Sequence, residues 1–408
     1  MTLPTRRPTL ADLLISSQFA FNVGFYAVLP HLSAHLSGTL GPAGRLVGLV
    51  LGLRTFSQQG MFVIGGALVD GYGPRPLVLT GCLLRIAGFV GLAFAEATWA
   101  VIASVLLVGF AAAFFSPAVE TEIAREAVRA EHGGGPARTR TLARFSAAGQ
   151  AGALIGPVIG ALLLHGGFTA ACLAGAGVFV LVLLGHRRLK PPGRRSATKQ
   201  ARRPFDPRPV LAHRPFLLLA AAYSTYLLAY NQLYLALPSE LDRATGSQEA
   251  LGWLFALSSA LVVTCQLPLE RLVSKRLTWP GTIRLGLLVL AVSFAATAAL
   301  LPLGGLWPAT VFVVLLILGQ MLVVPATRAC LTGLVDPDRL GVFTGALSSL
   351  SGLLVLLGSI PAGALLGVGG PAPWLALAAL PLVGVLLVPN TNRTRGLAVA
   401  ASSRRSLG

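Results

Sequence analysis

The sequence has few charged residues: 11% of its 408 residues are Asp, Glu, Lys or Arg, against roughly 25% in an ordinary soluble domain. Its four cysteines form no CxxC pair, and it has no GxxxxGK[ST] phosphate-binding loop. These absences exclude a soluble enzyme, a disordered chain and a disulfide-stapled secreted domain, and they argue against ATP hydrolysis. What it does have is apolar, with 54% hydrophobic residues and a mean hydropathy of +0.75. The composition therefore predicts a membrane protein.

Basic residues are unevenly distributed along the chain. The net charge is +18, and ten of the 32 Lys and Arg residues fall between Arg187 and Arg214. Alternate connections, such as 36–42, 96–98 and 302–305, carry no Lys or Arg. This is the positive-inside pattern of a multi-pass membrane protein rather than a nucleic-acid-binding surface. It predicts that both termini lie in the cytoplasm. The large excess of arginine over the three lysines indicates a GC-rich bacterial genome, so we predict a bacterial inner-membrane protein.

Twelve long apolar runs can each supply the ~20 residues that cross a hydrocarbon core. A chain in lipid must satisfy its backbone hydrogen bonds internally, so each run is interpreted as a helix. We predict an all-α membrane protein with twelve transmembrane helices, the fourth at 99–119 and the seventh at 215–237. They form an N-terminal six-helix bundle (1–186), a basic cytoplasmic linker (187–214) and a C-terminal six-helix bundle with a short cytoplasmic tail (215–408).

The two halves of the chain resemble each other. FYAVLP at 25–30 and LYLALP at 233–238 are separated by 208 residues, and the same offset relates SPAVE at 116–120 to VPATR at 324–328. Two matches with one offset, at corresponding helices, indicate a duplication. Parallel repeats of this kind place a binding site between pseudo-symmetric bundles near the membrane midplane and support alternating access.

The segment GALVDGYGPRPLVL at 66–79 joins the second and third predicted helices. It resembles the loop signature of the major facilitator superfamily, with Asp70, Gly73 and Arg75 at matching positions, although two basic residues of the signature are replaced. The resemblance implies a gating contact between Asp70 and the start of the eleventh helix near Gly341. A carboxylate is attracted to a helix N-terminus. A solvated polar turn is the alternative interpretation.

The fifth predicted helix contains GQAGALIGPVIGALLL at 149–164. Its Gly152, Gly156, Pro157 and Gly160 resemble the antiporter signature of drug exporters in the same superfamily, and we assign them to gating. Ordinary small-residue packing between helices is the alternative. Across about 52–89 the chain is similar to MdtH-type multidrug exporters of the drug:proton antiporter branch. This resemblance implies the major facilitator fold and secondary transport, with no enzymatic activity.

Arg54 lies about ten residues inside the second helix, where an uncompensated basic group costs several kcal/mol. Gln58 is four residues further along the same helix face. We interpret both as lining a substrate cavity, and a structural arginine bonded to backbone carbonyls or to nearby amides is the alternative. Aromatic and amide side chains of the first and seventh helices complete the predicted substrate-binding set: Asn22, Tyr26, Tyr226, Tyr230, Asn231 and Tyr234.

Proton coupling requires a titratable group, usually a buried carboxylate. None of the 14 acidic residues lies clearly in the middle of a predicted helix. Asp12 and Glu120 are the candidates. Glu120 is related to Arg328 by the repeat, so a gate pair that breaks on opening is a competing role for these two residues.

The sequence therefore predicts proton-coupled efflux of small amphipathic or drug-like molecules by alternating access. The predicted partners are a small-molecule substrate, protons and membrane lipid, without nucleic acid, cofactor or metal, and we expect a monomer. Three alternatives remain open. They are transport of an organic anion bound by Arg54, a transport-dead membrane sensor, and an intramembrane enzyme, which would need a cluster of acids or histidines that the sequence lacks.

Overall fold

A computed structural model describes residues 9–40, 44–133, 136, 138–188, 208–247, 249–335 and 339–389. These residues form twelve long helical elements, labelled α1 to α12, and one short helix, Arg208–Ala212, before α7. The elements are α1 Leu10–Leu40, α2 from Gly44 to Tyr72, α3 Pro74–Phe94, α4 Thr98–His132, α5 Arg138–Leu163, α6 Gly167–Arg188, α7 Arg214–Thr245, α8 Leu251–Ser274, α9 Trp279–Leu300, α10 Trp307–Leu334, α11 Leu340–Leu366 and α12 Ala372–Leu387.

The second element, α2, is interrupted at its centre. Its first segment, Gly44–Thr55, is followed by a π-helical turn, Phe56–Gly60, and then by a second α-helical segment, Phe62–Tyr72. Single π-helical turns inside α-helices are rare and occur often at functional sites. The interruption directly follows Arg54, so it marks the depth of the membrane where we expect the site.

Two helices are longer than the sequence predicts. The predicted end of α4 at 119 is wrong, because the helix continues to His132 as a polar extension. Arg129 there pairs with Glu122 and Glu126, each at 2.8 Å. The second, α7, continues past 237 to Thr245, where Gly246 ends it with a φ of +66°. Most of the predicted linker, 189–207, lies outside the described residues, as do the tail residues 390–408.

The outer surface of the described helices is apolar. Trp99, Trp253 and Trp307 are 75%, 67% and 69% exposed, and each stands in the first turns of its helix. Tryptophan is enriched where a membrane meets water, so these side chains fit an interfacial belt. Nine stretches of the described residues are long and apolar enough to span a membrane. One of them, 140–187, covers most of both α5 and α6.

The helix α7 is absent from those nine stretches for a physical reason. It carries four tyrosines together with Asn231 and Gln232, which lower its hydropathy, and its central residues are buried by protein. A helix shielded from lipid does not need an apolar surface. Its polar residues instead face the interior of the protein.

The helices pack as two bundles. In the first, α1 contacts α5 and α6, and α3 contacts α4 and α6; in the second, α7 contacts α11 and α12, and α9 contacts α10 and α12. The bundles meet chiefly through two helix pairs, α2 with α11 and α5 with α8. We call the membrane face at which α2 begins the Gly44 face, and the face at which it ends the Asp70 face.

Candidate functional site: a chamber between the bundles

The Gly44 face is closed by direct backbone contact between α2 and α11. A β-carbon added to Gly44 would overlap the carbonyl oxygen of Gly363, and one added to Gly48 would overlap the carbonyl oxygen of Ser359. Glycines spaced four apart let two helix backbones approach this closely. No side chain larger than hydrogen fits at either glycine in this conformation.

The pair α5 and α8 closes the same face. A β-carbon on Gly252 would lie 2.7 Å from the Ala161 β-carbon and 3.0 Å from the Pro157 carbonyl oxygen. Deeper in the membrane, the Ser259 hydroxyl donates to the Ala153 carbonyl oxygen at 3.0 Å. Gly44 and Gly252 are 208 residues apart and are therefore equivalent in the two repeats. Each lies in one of the two helix pairs that close this face.

A polar latch, formed by Thr55, Asn231 and Ser359, lies below this closure. The single proton of the Thr55 hydroxyl is shared between Asn231 Oδ1 and the Leu51 carbonyl oxygen of its own helix, each at 3.1 Å, and Asn231 Nδ2 donates to Ser359 Oγ at 3.1 Å. All three side chains are buried. Asn231, predicted to bind substrate, has both amide atoms engaged in this conformation. The structure therefore gives it a contact between the bundles.

Replacing Thr55 by Val will weaken the latch. The variant leaves the buried Asn231 carbonyl oxygen without its donor, which costs about 1–3 kcal/mol. One kcal/mol corresponds to about a fivefold change in a conformational equilibrium. We expect an impermeant maleimide to modify a Ser359→Cys reporter about fivefold faster in the Thr55→Val variant than in the protein that keeps Thr55. Thr264→Val is the control, because that hydroxyl bonds Ala260 within its own helix. Equal labelling in both variants would contradict the latch.

Arg54 precedes Thr55 of the latch and is 6% exposed, and we call the cluster of side chains that surrounds it between the two bundles the chamber. Its Nη2 donates to Gln58 Oε1 at 3.0 Å. Its guanidinium carbon is 5.5 Å from the Phe25 ring centre and 5.3 Å from that of Tyr234, both within cation–π range. Arg54 and Gln58 are thus neighbours, as predicted.

The predicted tyrosines surround Arg54. Side-chain hydrogen bonds join Tyr234 to Tyr26 and to Tyr230, and all three interact electrostatically with Arg54. Tyr226 extends the row, with its ring centre 6.0 Å from that of Tyr230. Tyr26 and Tyr234 are equivalent in the two repeats, so the duplication brings one residue from each bundle to the same point.

Asn22 is placed differently from the other predicted chamber residues. Its Nδ2 donates to the Gly149 carbonyl oxygen at 2.7 Å, which fixes α1 to α5 within one bundle. Among the described residues, the Arg54 guanidinium donates to Gln58 and not to this amide.

The antiporter-like glycines of α5 pack against α1. A β-carbon on Gly152 would overlap the Phe19 carbonyl oxygen, one on Gly156 would lie 2.8 Å from the Tyr26 β-carbon, and one on Gly160 would overlap the Ala27 carbonyl oxygen. These contacts lie inside the N-terminal bundle, as the small-residue alternative supposes. Pro157 is placed differently, because its carbonyl oxygen lies against Gly252 of the other bundle.

The candidate coupling residues lie toward the Asp70 face. Asp12 caps the start of α1, where its carboxylate accepts from the backbone amide and hydroxyl of Thr9 at 3.2 and 2.8 Å. Glu120 and Arg328 are exposed and attract each other electrostatically. They come from different bundles, but the described ion pairs do not include one between them.

The loop signature is described only in part. Gly73 adopts a φ of +83°, a conformation that favours glycine, and separates α2 from α3. Arg75 Nη2 donates to the Arg187 carbonyl oxygen at 3.3 Å, which ties α3 to the end of α6. The Asp70 side chain lies outside the described residues, so its contact with α11 stays a prediction.

Most of the closure of the Gly44 face and the surroundings of Arg85 do not follow from the sequence. Arg85 is 1% exposed and stands within 5.0–5.8 Å of the centres of four phenylalanine rings. The glycines of α2 were visible as a four-residue spacing, but spacing does not name the partner helix. Nothing in the residue pattern pointed to the π-helical turn, to Thr55 or to Ser359.

Comparisons with known proteins agree with this architecture. The sequence pattern of the Major Facilitator Superfamily matches residues 14–359. An uncharacterized MFS-type transporter of Mycobacterium tuberculosis is 35% identical, covering 87% of this chain and 85% of that protein. The multidrug resistance protein MdtH of Aeromonas salmonicida is 32% identical, and the match covers 90% of this chain and 91% of that protein. Among solved structures, a peptide transporter POT superimposes with a TM-score of 0.76 at 16% identity, covering 95% of both chains.

Proposed function

This chain belongs to the major facilitator superfamily, and on that premise we propose that it exports small amphipathic, drug-like molecules in exchange for protons. The observation that carries the proposal is the cluster of side chains around Arg54, to which repeat-related tyrosines of α1 and α7 contribute from the two bundles. The similarity to proteins named multidrug resistance protein MdtH supports the direction and the substrate class.

The chemistry of the chamber suits bulky amphipathic molecules. The Phe25, Tyr26, Tyr230 and Tyr234 rings offer aromatic faces, and the tyrosine hydroxyls and Gln58 offer a few hydrogen-bonding groups. Binding sites of this kind fix orientation with few polar contacts and gain most of their affinity from apolar area. A site with few directional contacts accepts related molecules of different shape.

Transport follows from rocking of the bundles about the chamber. In the described conformation the Gly44 face is closed by α2 with α11 and by α5 with α8. Separation of these helix pairs would expose the chamber at that face. We assign the Gly44 face to the outside of a bacterial inner membrane and the Asp70 face, with both termini, to the cytoplasm, following the basic residues. We take the transporter to be a monomer embedded in lipid.

Proton coupling is assigned to Asp12 and Glu120. Protonation of Glu120 would remove its attraction to Arg328 in the opposite bundle. Such a change alters the relative stability of the two conformations, which is what coupling requires. The cap formed by Asp12 at the start of α1 would respond to its protonation in the same way, because a neutral carboxyl group is a weaker acceptor.

The proposed function is tested by reconstitution into lipid vesicles. We expect an imposed pH gradient to drive uptake of an amphipathic dye into vesicles containing the protein, at least fivefold above empty vesicles. The double variant Asp12→Asn, Glu120→Gln should lose gradient-driven uptake but keep dye exchange without a gradient. Glu270→Gln, an exposed acid at the end of α8, is the control. Full gradient-driven transport by the double variant would remove both residues as proton carriers.

A further inference from the structure

Arg54 keeps unused hydrogen-bonding capacity. A guanidinium has five N–H donors. In the described part of the chain, the buried Nε and Nη1 of Arg54 have no hydrogen-bond partner, while Nη2 donates to Gln58. Gln58 is neutral, so it satisfies a donor without compensating the charge.

The surroundings of Arg54 add positive charge rather than negative charge. Arg85, buried and with its own Nε and Nη1 unpartnered among the described residues, is close enough to repel Arg54. The Phe25 ring is within cation–π range of both, its centre 5.5 Å from the Arg54 guanidinium carbon and 5.0 Å from that of Arg85. The described ion pairs involve neither arginine.

The aromatic rings compensate these charges unequally. Arg85 faces four phenylalanine rings, and cation–π contacts strengthen when they are desolvated. Among the described rings Arg54 faces two, those of Phe25 and Tyr234, and it interacts electrostatically with Tyr26, Tyr230 and Tyr234. Phenolic hydroxyls that bond one another can rotate and donate to an anion instead. Arg54 therefore combines an uncompensated charge, free N–H groups and neighbouring hydroxyl donors.

We propose that the chamber binds the carboxylate of an amphipathic substrate at Arg54, with the tyrosine hydroxyls as additional donors and the aromatic rings against its apolar body. This inference rests on the proposed function and narrows its substrate class to organic monoanions. A carboxylate supplies the missing negative charge and accepts charge-assisted hydrogen bonds, which are about twice as strong as neutral ones.

The test uses matched ligands that differ only in charge: benzoate with benzamide, and naphthoate with naphthamide. Binding to the purified full-length protein is measured by calorimetry. We expect each carboxylate to bind at least tenfold more tightly than its amide. The Arg54→Gln variant should lose this preference, and Arg54→Lys should keep part of it. Arg284→Gln is the matched control, because Arg284 donates to the Val388 carbonyl in the other bundle and should leave the preference unchanged.

Two results would overturn the inference: equal binding of acid and amide by the unsubstituted protein, including no binding of either, or an undiminished carboxylate preference in Arg54→Gln. Vesicle transport separates this inference from the proposed function. Export of neutral dyes without any carboxylate preference would overturn the subsite and leave export intact. A carboxylate preference in binding, together with no export of any dye, would support the subsite and overturn the export function.

Discussion

Gly48→Ala is expected to reduce transport at least tenfold without unfolding the protein. The added methyl group would overlap the Ser359 carbonyl oxygen on α11, and backbone atoms cannot rotate away as a side chain can. Overpacking a close contact costs about 1–3 kcal/mol. Because this contact exists only while the Gly44 face is closed, the cost falls on one conformation. The variant should remain folded and favour opening at that face.

Two measurements separate this effect from misfolding. In a background without the four native cysteines, Ser359→Cys should react at least tenfold faster with an impermeant maleimide when Gly48 is Ala. The melting temperature in detergent should change little. Gly177→Ala is the control, since a β-carbon there meets no atom within 4 Å. Normal transport by Gly48→Ala, with unchanged labelling, would refute closure by α2 and α11.

Gly160→Val should lower the stability of the folded protein and leave the opening of the Gly44 face unchanged, which is the reverse of the result expected for Gly48→Ala. Its side chain would meet the Ala27 carbonyl oxygen of α1, and this contact lies inside the N-terminal bundle. A bundle that moves as a rigid body keeps this contact in both conformations, so the substitution penalises the folded state itself. We expect the stability of the folded protein to fall by about 1–3 kcal/mol. The yield of monodisperse protein and its melting temperature should fall with it.

The Ser359→Cys reporter again provides the discriminating readout. Folded Gly160→Val protein should label at the same rate as the unsubstituted background, because the bundle interface is unaltered. Gly177→Val, on the exposed surface of α6, is the size-matched control and should melt normally. A stable Gly160→Val protein with fast labelling would return Gly160 to the gating role that its signature suggested.

The sequence predicted the fold because membrane physics leaves few alternatives. Twelve apolar runs must be helices, and the offset of 208 residues identified two related bundles. It also paired Tyr26 with Tyr234, which are hydrogen-bonded across the interface, and Glu120 with Arg328, which attract each other without forming an ion pair among the described residues. Equivalent residues of two repeats lie near each other when both are close to the pseudo-twofold axis. The repeat in the sequence therefore indicated which residues of the two bundles are neighbours.

The rest of the site depends on partners that one sequence does not name. The amides Asn22 and Asn231 both looked like chamber residues. Asn22 bonds Gly149 within its bundle, whereas Asn231 bonds Thr55 between bundles. Helix periodicity predicts which residues share a face, but not which helix that face meets or how closely. The ends of α4 and α7 were missed because hydropathy measures lipid contact, and both helices continue beyond it.

The π-helical turn at Phe56–Gly60 sets how far the second segment of α2 is rotated relative to the first. Successive residues of an α-helix are rotated by about 100° around its axis. If the same residues formed an uninterrupted α-helix, the segment Phe62–Tyr72 would be rotated by nearly that angle, because the π-helical turn accommodates one extra residue. Val63, which touches Gly345 of α11, would then point elsewhere, and the loop after it would be carried around. The π-helical turn therefore gives the two segments of α2 the relative rotation at which both of them contact α11.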